Sequence, residues 1–268
     1  MTSEMDRYYM LGLSIETVDS MGANFINSVL EKTAEELKNF VEKTHPGKLE
    51  ILMAILSNYT PGSYVKMKVE CPVDELREFD SAQEGALFAE KFKRAAQIGK
   101  HSVSRAVTNN KGIMNGVDAV VIATGNDFRA VEAGAHAFSI THGRPTSLTD
   151  CQINKGIFSF RITMPLALGT VGGVTQLHPL ARKSLEILGK PNAKELMKIT
   201  AAVGLASNFS ALTSLITAGI QQGHMKLHLE NILMHFNVDE PLKEKIKAYF
   251  KNKEVTFAKV KAFIEGEK

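Results

Sequence analysis

The first 75 residues alternate between two periodicities, and this alternation restricts the possible folds most. Tyr8–Val18 alternates apolar and polar residues like a half-buried strand, whereas Ser20–Lys43 places apolar residues at helical spacing. Leu49–Leu56 and Tyr64–Cys71 are again typical of strands, and the turn between them contains Pro61-Gly62. This order predicts a small β-α-β-β unit and therefore an α+β protein.

The sequence after residue 75 is mainly helical in pattern. Val117–Ala123 is a short, nearly continuous apolar run, which predicts a buried strand. Ser147–Ile153 and Ile157–Met164 predict a hairpin, and Gly169–Gly173 is a glycine-rich loop. Helices are expected at Glu84–Gly99, Asp127–Phe138, His178–Leu188, Ala193–Val203 and Ser207–Gln222, with two short lysine-rich helices between Asp239 and Lys268.

Composition excludes several classes of partner. The 268 residues carry a net charge of only +3, which does not favour a nucleic-acid partner but suits a small anionic ligand. Cys71 and Cys151 have no metal-ligand spacing and indicate reduced thiols. The N-terminus lacks the apolar stretch of a signal peptide, and no apolar run suggested a membrane helix of roughly 20 residues. We therefore expect a cytoplasmic protein with no nucleic-acid or membrane partner.

Two polar residues flank the expected Val117–Ala123 strand. Lys111 lies among asparagines and glycines just before it, so its amine could be aimed into a cleft, or it could be an ordinary surface lysine. Asp127 follows the strand at the start of a helix, where a carboxylate is common as an N-cap. Such strand ends are also common ligand sites. Both interpretations of each residue stay open on spacing alone.

Two other segments could bind ligands or move protons. Asp19–Asn24 ends a strand and opens a helix, which favours an anion such as a pyrophosphate, although a capped turn explains it equally. The usual G-x-G-x-x-G dinucleotide fingerprint is missing. His224 and His228 are four residues apart, but Met225 stands where a zinc protease needs glutamate, so no metal is expected. His224 is a candidate acid or base.

These segments together resemble the hydroxymethylglutaryl-CoA reductase family. DSMGANFIN (19–27) resembles its dinucleotide-binding motif, and NNKGIMNGVDAVVIATGND (109–127) resembles its catalytic lysine and aspartate region. Three further blocks follow in the family's order: VGGVTQLHPLA (171–181), GLASNFSAL (204–212) and GIQQGHMKLH (219–228). The resemblance covers essentially the whole chain and is closer to the prokaryotic class II enzymes than to the membrane-anchored ones.

The resemblance implies reduction of hydroxymethylglutaryl-CoA to mevalonate and CoA, or the reverse, by two hydride transfers. Lys111 would stabilise the developing oxyanion, Asp127 would pair with it, and His224 would protonate the CoA thiolate. The implied substrate-binding residues are Arg105, which holds a carboxylate, Asn115 and Asn208. The implied cofactor-binding residues are Asp19, Met21, Gly22 and Asn24.

The family's architecture gives domain expectations. The resemblance implies a ferredoxin-like cofactor-binding domain over residues 1–100, a helix-rich catalytic domain over 101–236 and a C-terminal helical flap over 237–268. It also implies a homodimer whose active sites lie at the subunit interface.

The sequence departs from the family in one important respect. The family's catalytic glutamate lies well before the cofactor motif, and no glutamate here has a matching context. Two hypotheses follow: a working reductase whose glutamate comes from elsewhere, such as a separate N-terminal chain, or a binding fragment without full catalysis. NADH and NADPH both remain open, with NADH favoured because Asp19 would repel a 2′-phosphate.

Overall fold

The computed structural model describes residues 8–45, 48–79, 84–217, 220–250, 253 and 255–266, and it confirms an α+β protein. The helices are α1 (Ala23–Thr44), α2 (Gly85–His101), α3 (Val103–Ala123), α4 (Phe128–Phe138), α5 (Gly173–Leu177), α6 (Pro179–Ile187), α7 (Ala193–Ile216), α8 (Ile220–His235), α9 (Glu240–Phe250) and α10 (Phe257–Gly266). The strands are β1 (Tyr64–Pro72), β2 (Ile140–Thr141), β3 (Arg144–Pro145), β4 (Thr149–Asn154) and β5 (Ile157–Pro165), and a 3₁₀ helix spans Val73–Phe79.

Three of the strands form one sheet in the order β1-β5-β4, and β2 pairs antiparallel with β3. The predicted hairpin is confirmed, because β4 and β5 are neighbours joined at Lys155-Gly156. These two residues have φ of 50° and 76°. Two consecutive positive φ angles are what a tight two-residue hairpin turn requires.

Only part of the predicted β-α-β-β unit is formed in the described residues. The helix and the last strand are present as α1 and β1, but Tyr8–Val18 and Leu49–Leu56 have no strand assignment. A strand needs a neighbouring backbone for its hydrogen bonds. The amide of Leu56 instead donates to the side-chain oxygen of Asn27 at 2.9 Å. Neither segment pairs with another backbone as a strand among the described residues.

The predicted strand Val117–Ala123 is wrong, because these residues are the last two turns of α3. Ile113, Val117 and Val121 are buried at four-residue spacing, whereas Ile122 is 57% exposed. The apolar run therefore lies partly on the buried face of α3 and partly on its exposed face. Similarly, the two helices predicted over 193–203 and 207–222 are the single helix α7 and the beginning of α8.

The chain divides into two compact units. The first contains Met1–Val69, Ile98–Asp150 and Phe160–Ser207, and the second contains Glu70–Gln97, Cys151–Ser159 and Asn208–Lys268. The domain boundaries at residues 100 and 236 stay a prediction. The second unit has an aromatic cluster of Phe79, Phe88, Phe92, Phe158 and Phe209, with neighbouring ring centroids 5.0–6.3 Å apart. A second core in this unit is built from α8, α9 and α10.

In the first unit, α3 and α7 approach closely because both carry glycine at the contact. A Cβ atom at Gly116 would lie 2.7 Å from the carbonyl oxygen of Val203 and would collide with the Ser207 side chain. A Cβ atom at Gly204 would lie 2.7 Å from Cγ2 of Val117. Two glycines therefore set the separation of the two helices, and any side chain there must push them apart.

By length and composition α7 could also cross a membrane, since it has 24 residues and an 18-residue stretch of it has a mean hydropathy of 1.5. A single helix of this kind is weak evidence for a membrane span. The inner face of α7, with Leu196, Ala201 and Leu205 buried, accounts for part of this apolar character.

Replacing Gly116 with alanine should destabilise the protein by about 1–3 kcal/mol, because the Val203 carbonyl belongs to a helix backbone and cannot rotate away. Gly112 on the same helix is the matched control, since nothing lies within 4 Å of a Cβ atom there. Gly112→Ala should raise stability by roughly 0.5–1 kcal/mol through helix propensity. Urea unfolding measures both, and equal effects of the two substitutions would contradict the close contact.

Candidate active site

Two buried asparagines fix the rotation of α3. Asn110 accepts a hydrogen bond from the Leu148 amide at 3.0 Å and donates to the Thr146 carbonyl at 2.8 Å. Asn109 donates to the Ser147 hydroxyl at 2.9 Å. Both asparagines are at least 96% buried, so these bonds satisfy amides that would otherwise be costly to bury.

With that face held, the opposite face of α3 presents the predicted catalytic lysine. Lys111 is exposed and lies one turn before exposed Asn115, inside a helix rather than just before a strand. Among the described residues, Lys111 takes part in no ion pair. Arg105, in the first turn of α3, donates from Nη2 to the Asn109 side-chain oxygen at 3.4 Å. One helix therefore carries Arg105, Lys111 and Asn115.

Asp127 is the N-cap of α4, as one of the two sequence interpretations proposed. Its Oδ1 accepts hydrogen bonds from the amides of Arg129 at 3.0 Å and Ala130 at 3.2 Å. The Arg129 Nε lies 3.7 Å away. The Asp127 side chain is still 41% exposed, so capping does not bury the carboxylate. The described residues contain no direct ion pair between it and Lys111, and their pairing stays a prediction.

The cofactor motif and the glycine-rich loop, predicted separately, lie against each other. Thr170 donates its amide to the Asp19 carbonyl at 2.8 Å. A Cβ atom at Gly169 would collide with the backbone nitrogen of Met21, so only glycine permits this approach. Asn126 holds the same loop from the other side: it accepts from the Gly169 amide at 2.8 Å and donates to the Gly169 carbonyl at 3.0 Å.

Asn126 was not assigned a role from the sequence. The sequence places Asn126 between a glycine and the predicted helix cap Asp127, which indicates a turn. Gly125 indeed has a φ of +72°, and Asp127 caps α4. Because its partner lies 43 residues away, the sequence pattern could not reveal the bond. Asn126 therefore joins the turn before Asp127 to the glycine-rich loop through two hydrogen bonds.

The remaining residues that the resemblance predicts to bind the cofactor surround the start of α1. The Asp19 carboxylate accepts a hydrogen bond from the Ala193 amide at 2.8 Å, which satisfies a free donor at the start of α7. Gly22 is the N-cap of α1 with φ +75°, a conformation that favours glycine. Met21 is half-buried beside a small cavity, and Asn24 is exposed in the first turn of α1.

The last two predicted residues belong to the second unit. Asn208 is buried in α7. His224 falls on α8, but its side chain lies outside the described part of the structure. No group of three or more histidine, cysteine, aspartate or glutamate residues within the described ranges could hold a metal ion.

Comparison with known proteins identifies the family. The profile of hydroxymethylglutaryl-coenzyme A reductase matches residues 2–229. The chain belongs to the hydroxymethylglutaryl-coenzyme A reductase family. The reductase of Archaeoglobus fulgidus is 40% identical over 228 residues, which cover 85% of this chain and 49% of that protein. A probable reductase of Borreliella burgdorferi is 35% identical over 240 residues, which cover 88% and 54%.

A solved structure gives the same result. The class II reductase from Streptococcus pneumoniae, bound to NADPH in open conformations, is 39% identical with a TM-score of 0.68. The match covers 75% of this chain and 53% of that one. The prokaryotic, class II-like resemblance is thus confirmed, and the chain spans about half the length of the relatives that it matches.

One further carboxyl on α3 has an unusual environment. Asp118 follows Asn115 along α3, and its Oδ1 is buried without a hydrogen-bond partner among the described residues. Burial, together with the nearby Glu132 carboxylate, raises the pKa of Asp118 to about 6. Since an unfolded aspartate titrates near 3.9, the folded chain holds the extra proton between about pH 4 and 6.

The raised pKa of Asp118 predicts that removing its carboxylate increases folding stability at neutral pH but not at low pH. Stability should fall as the pH rises from about 4 to 6, because the folded state binds more protons there than the unfolded state. Asp118→Asn should therefore be more stable than the parent by about 1 kcal/mol at pH 7.5, after allowance for solvent screening. At pH 4 the two should unfold at nearly the same urea concentration. A gain of equal size at both pH values would mean that packing, not charge, is responsible.

Proposed function

We propose that this chain carries the lysine, aspartate and histidine of a reductase that converts hydroxymethylglutaryl-CoA to mevalonate and CoA, or runs the reverse. The observation that carries the proposal is one continuous arrangement: α3 presents Lys111, and Asn126 joins the Asp127 turn to the loop that supports the cofactor motif. Each part could be structural by itself. Their combination supports hydride transfer from a nicotinamide beside a lysine.

Lys111 is suited to stabilise an oxyanion. Its ammonium is exposed and engaged with no described carboxylate, so its charge is free for the thioester oxygen as hydride arrives. Asp127 keeps an exposed carboxylate that could pair with Lys111 once substrate is bound. We assign protonation of the departing CoA thiolate to His224 by family resemblance.

Arg105, Asn115 and Asn208 are the proposed substrate residues. Arg105 is half-buried and oriented by Asn109, which suits a guanidinium that must meet the free carboxylate of the substrate. Asn115 shares the exposed face of α3 with Lys111 and would support it by hydrogen bonding. Asn208 is assigned from the family motif.

The cofactor is NADH or NADPH. Asp19, Met21, Gly22 and Asn24 are the proposed contacts, and the Streptococcus pneumoniae relative binds NADPH. The sequence favoured NADH because a free Asp19 carboxylate would repel a 2′-phosphate. That carboxylate accepts a hydrogen bond from Ala193, so part of its charge is already compensated. The preference for NADH stays a prediction, and binding measurements decide it.

Additional polypeptide is needed to complete the site. None of the residues of α1 is buried, and the segments before and after it expose Tyr9 (84%), Leu52 (67%) and Met53 (75%). An apolar surface of this kind marks an interaction site. We propose that it is covered in a homodimer with interfacial active sites and by the family's N-terminal portion, which supplies the catalytic glutamate. Residues 237–268 would form the flap, and α9 and α10 share a core with the end of α8.

Turnover tests the proposal. NADH or NADPH oxidation is followed with hydroxymethylglutaryl-CoA, for this chain alone and with the N-terminal half of a class II relative added. We expect turnover only in the mixture. Lys111→Ala should reduce kcat about 10²- to 10³-fold by removing the oxyanion partner. Lys198→Ala, which removes an exposed lysine from α7, is the control and should leave kcat unchanged.

Two outcomes would contradict parts of this proposal. Turnover by the chain alone would show that no external glutamate is needed. Nucleotide binding without turnover in any mixture would favour the alternative, a cofactor- or CoA-ligand-binding fragment without catalysis.

A further inference from the structure

Gly112 follows Lys111 directly in the middle of α3, where glycine is an unfavourable residue. Apart from proline, no residue lowers helix stability more, because glycine loses the most backbone freedom when it is ordered. The backbone of Gly112 is helical and its φ is not positive, so no left-handed turn requires glycine there. A glycine at this position is useful only if a side chain would obstruct something.

Close packing explains the glycines inside other parts of the helices but not Gly112. A Cβ atom at Gly99, Gly116, Gly134 or Gly204 would come within 3.3 Å of another group of the chain. A Cβ atom at Gly112 would meet no atom of the described ranges within 4 Å. The fold therefore leaves an open space over Gly112, and the group that needs this space lies outside the described chain.

The open space lies between two cations of α3. An α-helix turns by about 100° and rises by about 1.5 Å per residue, so Arg105 and Lys111 are about 120° apart around the axis and about 9 Å apart along it. Gly112 lies within this arc, about 20° from Arg105. Helical side chains lean toward the N-terminus, so a side chain at position 112 would cover the surface between the two cations. Lys111 is exposed and Arg105 is half-buried, so both can reach a ligand on this surface.

We propose that the space over Gly112 holds the branched third carbon of the hydroxymethylglutaryl group, and that Gly112 determines which acyl groups the chain accepts. The inference rests on the proposed function, in which Arg105 holds the free carboxylate and Lys111 the thioester oxygen. These two groups are the ends of the acyl chain, and its third carbon, which carries both a hydroxyl and a methyl group, lies midway between them. An acyl chain that bridges the two cations therefore crosses α3 where Gly112 has no side chain.

Substitutions that fill the space test the assignment. Gly112→Ala and Gly112→Leu are compared with the parent chain, each mixed with the N-terminal half of a class II relative. KM for hydroxymethylglutaryl-CoA should rise about tenfold for alanine and more than about 100-fold for leucine, because each added group occupies part of the acyl site. The dissociation constant of the nicotinamide cofactor should change less than about twofold, because its proposed contacts lie at Asp19–Asn24 and not on α3. Calorimetric binding of hydroxymethylglutaryl-CoA measures the same change without turnover.

Unfolding and a general effect of adding a methyl group are controlled separately. Alanine and leucine both favour a helix more than glycine does, so urea unfolding should show variants at least as stable as the parent. Gly62→Ala is the matched control, because a Cβ atom there also meets no described atom within 4 Å, while Gly62 is exposed and lies outside α3. This control should leave KM and the cofactor dissociation constant unchanged.

An analogue identifies the part of the acyl chain that Gly112 recognises. 3-Hydroxyglutaryl-CoA lacks only the methyl group on the third carbon. Gly112→Ala should raise KM for this analogue by less than about threefold, because the added methyl group of alanine replaces the one that the analogue lacks. The ratio of kcat/KM for the two compounds should therefore shift toward the smaller acyl group.

The outcomes separate this inference from the proposed function. If Gly112→Ala leaves KM for both acyl-CoA compounds unchanged, the substrate does not use the space, and the inference fails while the proposed function stands. If KM rises equally for both compounds, Gly112 does not recognise the branched carbon and the inference is wrong. Weaker cofactor binding, or weaker association of the two halves in sedimentation, would assign the space to another occupant and also overturn it. If the parent mixture neither binds nor reduces hydroxymethylglutaryl-CoA, the proposed function itself fails, and this inference fails with it.

Discussion

The close contact between α3 and α7 is the constraint on which the candidate site depends. Gly116 and Gly204 bring the two helices together, and the buried amides of Asn109 and Asn110 prevent α3 from rotating. With both position and rotation fixed, the outward direction of Lys111 follows from helix geometry, since it lies on the face opposite the contacts. Because the position and rotation of α3 are fixed, orienting a lysine side chain on it costs less conformational entropy than orienting one on a loop.

Features set by local chemistry could be predicted from the sequence. Asp127 as a helix cap and the hairpin at Lys155-Gly156 depend on neighbouring residues, and both were confirmed. The strand predicted over Val117–Ala123 was wrong because a short apolar run has no period of its own. The glycines and asparagine before it are tolerated inside α3 since packing against α7 outweighs their weak helix propensity.

Features that join distant segments could not be predicted. Asn126 bonds Gly169 across 43 residues, and Asp19 bonds Ala193 across 174, so neither sequence neighbourhood carries a sign of its partner. The same reason explains the missing strands at Tyr8–Val18 and Leu49–Leu56. Their alternation is typical of a strand with one buried face, but a strand exists only where another backbone pairs with it.

Asp19 illustrates why a motif residue's role must be argued from its contacts. Its backbone carbonyl holds the glycine-rich loop and its carboxylate satisfies the first turn of α7, so both ends act on the fold. The preference for NADH predicted from the sequence assumes that the Asp19 carboxylate is a free charge facing the cofactor ribose. Two cofactors that differ by one phosphate are distinguished by the charges that the fold has not already paired.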